Sequence, residues 1–425
     1  MKKKIKIVLI GAGSIYTPEL IEGLIKRKGL VDIGELALMD IDAEKLSIVG
    51  NFAARMVKYA NLDWCVSFYY NLDCIKNADY VLTQIRVGRL NARINDEKIP
   101  LKYGLIGQET CGIGGFFKAY RTVPVMLNIV DIIKKTAPHA YLINFTNPSG
   151  LLSEALKDTG VKVFGLCNCP YSMEKSVKDM VKLPGAFVEF TGLNHFSWIT
   201  KIEYSGKDYL KDAIEQGINS EAMKNVPANG FSKEVLKIAG GIPSTYLEYY
   251  YYRIDKLKKL SSETKSRGEV CKEIEADLLE KYKNEKLRVK PAELEKRGGA
   301  YYSEVAVNLI EAIENDRNNM HVINVKNNGT LNFLGRDDII ETKCVVGKNS
   351  AKPVKIENFN NGHIISMVKA MKDYEKAAVK AILSKNREDA VRALMLNPLC
   401  GDYNAVSKCY DELYELNRSY IERQL

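Results

Sequence analysis

The chain has 425 residues, 46% of them hydrophobic. That is enough for a sizeable core, and the length implies two or three domains or one large α/β enzyme with an extra lobe. No run of about 18 apolar residues occurs, which argues against a membrane span. The net charge of +9 is spread along the chain rather than blocked, so nucleic acid is not demanded and a phosphorylated substrate is compatible.

The basic start followed by Ile5 to Ile10 is too short for a secretory signal and reads as a first strand. With nine cysteines, an odd number, it points to a reducing, cytoplasmic setting. The apolar run ends in Gly11-Ala12-Gly13-Ser14, and a helical pattern opens behind it. Strand, glycine turn and helix in that order let a diphosphate approach backbone amides at a helix start. Tyr16 stands where the usual third glycine falls, so a plain strand–turn–helix also fits. One βαβ unit later, Glu35 to Asp40 reads as a second strand ending in a carboxylate, where a ribose hydroxyl is held. Asp40 reads equally as a solvated loop acid followed by Asp42.

Further strands are expected at Ala78–Ile85, Ala140–Phe145 and Val161–Leu166, with a helix over 120–136. Strands alternating with helices predict a parallel, doubly wound sheet whose ligands sit at the carboxyl ends of the strands. Ile85, Asn147 and Cys167 lie at such ends. After about residue 185 the texture changes. Ala186–Tyr204 alternates as antiparallel strands do, 207–225 and 254–296 are charged and helical, and 300–315 is an apolar-faced helix. Strands around 320–335 and 342–346 and helices over 362–384 and 402–424 follow. The expectation is residues 1–185 as a Rossmann-like dinucleotide-binding domain and 186–425 as an α+β domain for substrate, metal and oligomerisation. No Pro/Gly/Ser linker, repeat or low-complexity segment separates them, so a broad shared interface is expected.

Cys167 ends a strand, and His195 lies in the next lobe. A thiolate and an imidazole can bind a divalent metal with positions left for substrate oxygens. On spacing alone, a core cysteine and a core histidine fit as well. Cys169, in an extended segment, would point opposite to Cys167. His321 and His363, in strand and helix patterns, show no partner in the sequence, and His139 sits in a loop. The tyrosines from Tyr246 to Tyr252 read as packing, a sugar platform, or one activated base. Arg86, Arg89, Arg93, Lys102, Lys118 and Arg121 flank the Gly-rich stretch Gly104–Gly115. Most read as helix-face charge; Arg93 and Glu109 stand out because they neighbour a predicted strand end.

Several stretches together resemble one family, the NAD- and metal-dependent glycoside hydrolases of family 4. They are GAGSIYTPEL at 11–20, IRVGRLNARINDEKIPLKYGLIGQETCGIGG at 85–115, NFTNPSG at 144–150, GLCNCP at 165–170, GLNHFSW at 192–198 and IPSTYLEYY at 242–250. RGGAYYSEVAVNLI at 297–310, DDIIETKCVVGKN at 337–349 and LNPLCGDY at 396–403 complete the set. The branch most resembled is 6-phospho-β-glucosidase. The resemblance implies a fold like lactate and malate dehydrogenases and hydrolysis of phosphorylated disaccharides or glucosides by a redox-assisted elimination. The sugar is oxidised at C3 by NAD, loses its C2 proton, expels the aglycone from C1, adds water and is reduced again.

Position by position, the resemblance implies Cys167 and His195 as ligands of Mn²⁺, Tyr246 as the C2 base, and Glu109 as the acid that raises its basicity. It implies Arg93, Asn147, Asn168 and Arg267 as substrate contacts, and Gly11, Gly13, Ser14 and Asp40 as the nucleotide segment. Arg89 stands where glycine or a small residue is expected. Asn168 stands where α-specific members carry an aspartate proton donor, which favours the β-specific branch. Members commonly form homodimers or homotetramers. The alternatives are a 6-phospho-α-glucosidase or other family 4 glycosidase, a 2-hydroxy acid dehydrogenase with net turnover of NAD, and a nucleotide-sensing regulatory protein that binds NAD without turnover.

Overall fold

The computed structural model describes residues 4–217, 230–297, 301–348 and 350–422. Six strands form a parallel sheet: β1 (Ile5–Ile10), β2 (Ile33–Met39), β3 (Cys65–Tyr69), β4 (Tyr80–Thr83), β5 (Tyr141–Asn144) and β6 (Lys162–Gly165). Their order is β3-β2-β1-β4-β5-β6, which reverses direction at β1 and opens a crevice beside Gly11–Ser14. β1 is apolar on both faces because both are covered. Ile7 and Leu9 meet α1 (Thr17–Lys26) and α2 (Ala43–Tyr59), and Val8 and Ile10 face the other core. α3 (Arg89–Lys102), α4 (Gly112–Thr136), α5 (Ser149–Leu156) and α6 (Cys169–Val181) complete the first half.

The second half contributes a hairpin of β7 (Phe187–Leu193) and β8 (Phe196–Tyr204), extended by β9 (Lys207–Asp208) and β10 (Ile242–Pro243) into a small antiparallel sheet. It also extends the first sheet. β11 (Asn319–Lys326) pairs antiparallel with β6, and β12 (Ile339–Gly347) and β13 (Ser350–Pro353) follow. Each hydrophobic core draws residues from both halves of the chain, so the halves share the interior. No helix among the described residues is long and apolar enough to cross a membrane.

The helix expected over 120–136 begins at Gly112, because its glycines are needed for close packing rather than for a loop. A Cβ at Gly114 would lie 2.4 Å from the Gln108 carbonyl oxygen and 2.5 Å from that of Asp96. The helical stretch expected over 254–296 breaks at a capping box in which Ser266 accepts from Glu269 and Glu269 reaches back to Ser266. The strand expected over 320–335 ends at Lys326, where the Asn327 side chain organises a turn by accepting from Leu331 N and donating to three carbonyls. The expected helices reaching residues 218–225, 300 and 423–424 extend outside the described residues; their described parts are helical over Leu210–Gln216, Tyr302–Glu314 and Tyr403–Ile421.

Candidate active site

The glycine turn is held from two sides. Gln84, just past β4, donates to the Gly11 carbonyl at 3.1 Å and to Thr17 Oγ1 at 2.9 Å. Gly11 sits at φ +90°, and a Cβ there would lie 3.0 Å from the Gln84 carbonyl. Asp40, at the end of β2, accepts from Gly13 N at 2.8 Å and from Asp42 N at 2.9 Å. Burial pushes its carboxyl above the ordinary range. Ser14 Oγ accepts from Tyr16 N at 3.3 Å. Arg89 adopts φ 56°, which accounts for the expectation of glycine there, and its exposed side chain pairs with Asp42 at 3.1 Å.

Cys167 follows β6, and His195 occupies the two-residue turn between β7 and β8. His195 takes φ 62°, a left-handed conformation uncommon outside glycine, in which Asn, Asp and His are the most frequent other residues. β10 pairs with β8 and places the 3₁₀ turn Thr245–Leu247 beside it. The Tyr246 ring consequently stacks on the His195 ring, with centroids 3.8 Å apart and planes 13° apart. Cys167, Cys169 and Glu109 all raise the Tyr246 phenol electrostatically, after burial as the main cause. Thus Cys167, His195, Tyr246 and Glu109 meet in one buried cluster.

Glu109 faces three cations: Lys118 Nζ at 2.7 Å, Arg93 Nη1 at 3.0 Å, and Arg86. These cations overcome burial and hold its carboxyl well below the ordinary range. Arg93 also pairs with Glu97 at 2.7 Å. Lys118 is pushed down to about 7 by burial and by Arg86. Arg121 and Asp96 form a buried pair, with Nη1 and Oδ1 3.0 Å apart. The helix-face reading of Arg86, Lys118 and Arg121 is therefore corrected, whereas Lys102 is exposed and pairs with Glu412 on the surface.

Asn147 is half-buried after β5, and its Oδ1 accepts from Ser149 N at 3.4 Å. Asn168 is half-buried at the start of α6. It is helical rather than extended, so Cys167 and Cys169 do not alternate; both approach Tyr246, and Cys169 Sγ lies 3.4 Å from Ser244 Oγ. Arg267 donates to the carbonyls of Lys296 and Arg297 at 3.2 and 2.8 Å. Arg93, Arg267 and Arg297 converge electrostatically on Tyr16, and the Arg297 guanidinium lies 5.2 Å from its ring centroid. Arg297, buried in a charged stretch, escaped the sequence reading. Of the other tyrosines, Tyr250 packs edge-on to Phe196 and Tyr251 bonds His363 Nε2 at 2.8 Å, so His363 has a partner after all. His139 lies 3.6 Å from Asp79, and the buried His321 Nε2 has no hydrogen-bond partner among the described residues.

The donor set suits a divalent metal. Burial and Lys118 push His195 down to about 3, so its imidazole is neutral and one ring nitrogen has a lone pair to give. Burial and Glu341 push the Cys167 thiol well above its ordinary value. The buried phenol, thiol and carboxylate crowd one region, and a cation beside Cys167 would favour the ionised forms of the thiol and the phenol that burial now disfavours. No cluster of three His, Cys, Asp or Glu suited to a metal occurs among the described residues; a pair of donors such as Cys167 and His195 would leave the remaining positions to a ligand.

Comparison with known proteins follows the same lines. The model for "Family 4 glycosyl hydrolase" matches residues 6–183, and that for its C-terminal domain matches 190–400. A protein of Bacillus subtilis named probable 6-phospho-beta-glucosidase is 39% identical over 99% of this chain and 98% of its own length. The 6-phospho-beta-glucosidase of Escherichia coli is 38% identical over 94% of this chain and 92% of its own. The structure of the 6-phospho-beta glucosidase from Thermotoga maritima with manganese, NAD+ and glucose-6-phosphate superposes with a TM-score of 0.89 at 34% identity, covering 98% of this chain and 99% of that one. Lactate dehydrogenase from Eimeria maxima, at 14% identity and a TM-score of 0.52 over 91% of this chain and 98% of that one, shares the fold alone. Matched in both halves and end to end with these relatives, the chain belongs to the family 4 glycosyl hydrolases.

Proposed function

We propose that the chain hydrolyses 6-phospho-β-glucosides, of the phosphorylated-disaccharide or aryl-glucoside type, with NAD⁺ and a divalent ion such as Mn²⁺. The observation that carries this reading is the Tyr246 ring stacked on His195 beside Cys167. When bound, NAD⁺ takes up and later returns the hydride of the sugar's C3, and the metal stabilises negative charge on the sugar's oxygens. Residues 1–185 serve as the nucleotide-binding domain and 186–425 as the domain for substrate, metal and oligomerisation.

The amides around Gly11, Gly13 and Ser14, with Asp40, receive the nucleotide. Cys167 and His195 hold the metal and leave its other positions to substrate. Tyr246 removes the C2 proton after the adjacent carbon has become a carbonyl and made that proton acidic. Glu109, whose charge is fixed by three cations, keeps Tyr246 basic. Asn147 positions the sugar, and Arg93 and Arg267 with Arg297 supply positive charge for its phosphate. Asn168 contacts the substrate on the leaving-group side. Its amide cannot donate a proton as a carboxylic acid does, which leaves the leaving group's proton to a donor other than residue 168 and favours the β-linked substrate. Exposed Leu383, Met395, Leu396, Tyr403, Leu416 and Tyr420 on the last three helices support a homodimer or homotetramer. Nine free thiols support a cytoplasmic setting.

The test is turnover of α- and β-linked aryl 6-phospho-glucosides with and without Mn²⁺ and NAD⁺, with C2-deuterated substrate followed in ordinary water. Activity on the β-linked compound that needs both additions, with loss of the C2 label and no net NADH, is expected. Full retention of the label, or activity persisting in chelator, refutes the reading. Net NADH accumulation points to a dehydrogenase instead.

A further inference from the structure

Glu341 lies on β12, outside every residue assigned a role above, and is 2% exposed. Its Oε1 accepts from Asn194 Nδ2 at 2.9 Å, and its Oε2 accepts from Ser197 Oγ at 3.1 Å. These two donors bracket His195 in sequence. The Asn194 side chain also faces the Cys167 sulfur and favours its ionised form, and its Oδ1 accepts from Gly150 N at 3.3 Å. The Ser197 carbonyl accepts from Ser244 N at 2.9 Å, two residues before Tyr246. One carboxylate is therefore tied to Asn194 in the turn that carries His195 and to Ser197 on the strand that leaves it; Asn194 faces Cys167, and Ser197 bonds the segment that carries Tyr246. The turn needs holding, since His195 sits at φ 62°. A buried carboxylate is costly, and an apolar strand residue would fill the volume more cheaply; two acceptor oxygens aimed at two different donors are what Leu at this position would lack.

We propose that Glu341 is the positioning residue for the Cys167–His195 pair, setting the separation of the two donors. The proposal rests on the metal reading above. It is tested on the full-length protein with NAD⁺ present, by Mn²⁺ titration followed by electron paramagnetic resonance, in wild type, Glu341→Leu, Glu341→Gln and Cys167→Ala. Outer-sphere partners of metal ligands are typically worth about 10–100-fold in affinity. Glu341→Leu should weaken Mn²⁺ by about that factor while NAD⁺ affinity stays within twofold. Glu341→Gln, which keeps one acceptor and lets the Ser197 hydroxyl turn round to accept, should recover most of the loss. Wild-type Mn²⁺ affinity in a folded Glu341→Leu overturns the proposal, as does a parallel loss of NAD⁺ affinity. If Glu341→Leu does not fold, Asn194→Ala decides: undiminished Mn²⁺ affinity there overturns it, and a tenfold loss supports it. Failure of the metal reading is distinguishable, because Cys167→Ala would then bind Mn²⁺ as wild type does.

Discussion

Replacing Glu109 with Gln removes one negative charge and almost no volume. Two carboxylates, Glu97 and Glu109, face the cations Arg86, Arg93 and Lys118, and the substitution leaves one carboxylate against three cations. Arg93 is 1% exposed, so water cannot take over the lost contact. Stripping one partner from a buried ion pair costs about 3–5 kcal/mol. At about 2.1 cal/mol/K of unfolding entropy per residue, this chain gives about 0.9 kcal/mol/K, so the loss amounts to about 3–6 °C in Tm. Lys118 makes the loss depend on pH. Its folded value is already down to about 7 against an ordinary 10.5, with Glu109 among the groups holding its proton on. A folded lysine with a lowered pKa binds fewer protons than the unfolded one, so stability rises with pH above the folded value. In wild type that rise starts near 7; without Glu109 it starts lower. Between the two values the variant gains up to about 1.4 kcal/mol per pH unit on wild type, and above them the two run parallel. The deficit should therefore be largest near pH 5.5, shrink towards pH 7 and then stay level. Calorimetric melts of both proteins between about pH 5.5 and 8.5 measure it. Equal Tm values near pH 5.5, or a deficit that widens with pH, would show that the cluster is not coupled as described.

Cys167→Ser and His195→Ala should each lower metal-dependent turnover by at least about 100-fold, and chelator should do the same to wild type; steady-state rates across added Mn²⁺ check it. Tyr246→Phe should lower kcat by about 10²–10⁴-fold with KM little changed, and should slow loss of the C2 deuterium in parallel; unchanged exchange would move the base elsewhere. Gly11→Ala forces a Cβ against the Gln84 carbonyl at φ +90°, a strain of about 1–3 kcal/mol. Calorimetric titration should show weaker NAD⁺ binding, and an unaltered Kd would detach this turn from the nucleotide.

Five of the six parallel strands, β1, β2, β4, β5 and β6, were legible as short apolar runs closed by a turn; β3, an edge strand of sequence Cys65-Val66-Ser67-Phe68-Tyr69 with no fully buried residue, was not. β13 was not legible. Its sequence, Ser350-Ala351-Lys352-Pro353, carries no apolar period, and it forms at the sheet edge by pairing with β12. The early start of α4 was hidden for a different reason. Glycine weakens a helix on propensity, and only the tertiary contact with Asp96 and Gln108 shows why small residues are needed there.

Within the site, residues at the ends of strands could be read from the sequence, whereas those acting from beneath could not. Cys167, Asn147 and His195 sit where a strand or hairpin turns, and strand ends announce themselves. Lys118 and Arg121 left a signal that charge counting dismissed, as charges interrupting the apolar run Phe116–Val123, and both are buried with acids from other segments. Glu341 left a fainter signal, since Thr342 and Lys343 follow it, yet it is buried on a strand whose neighbours are buried. A lone charge inside an apolar period has to find a partner, because an unpaired one would unfold the element that carries it. Such positions in this chain mark what the site stands on. Lys118 holds Glu109 from α4, and Glu341 holds Asn194 and Ser197 on either side of His195 from β12, contacts that the sequence around Glu109 and His195 does not itself contain.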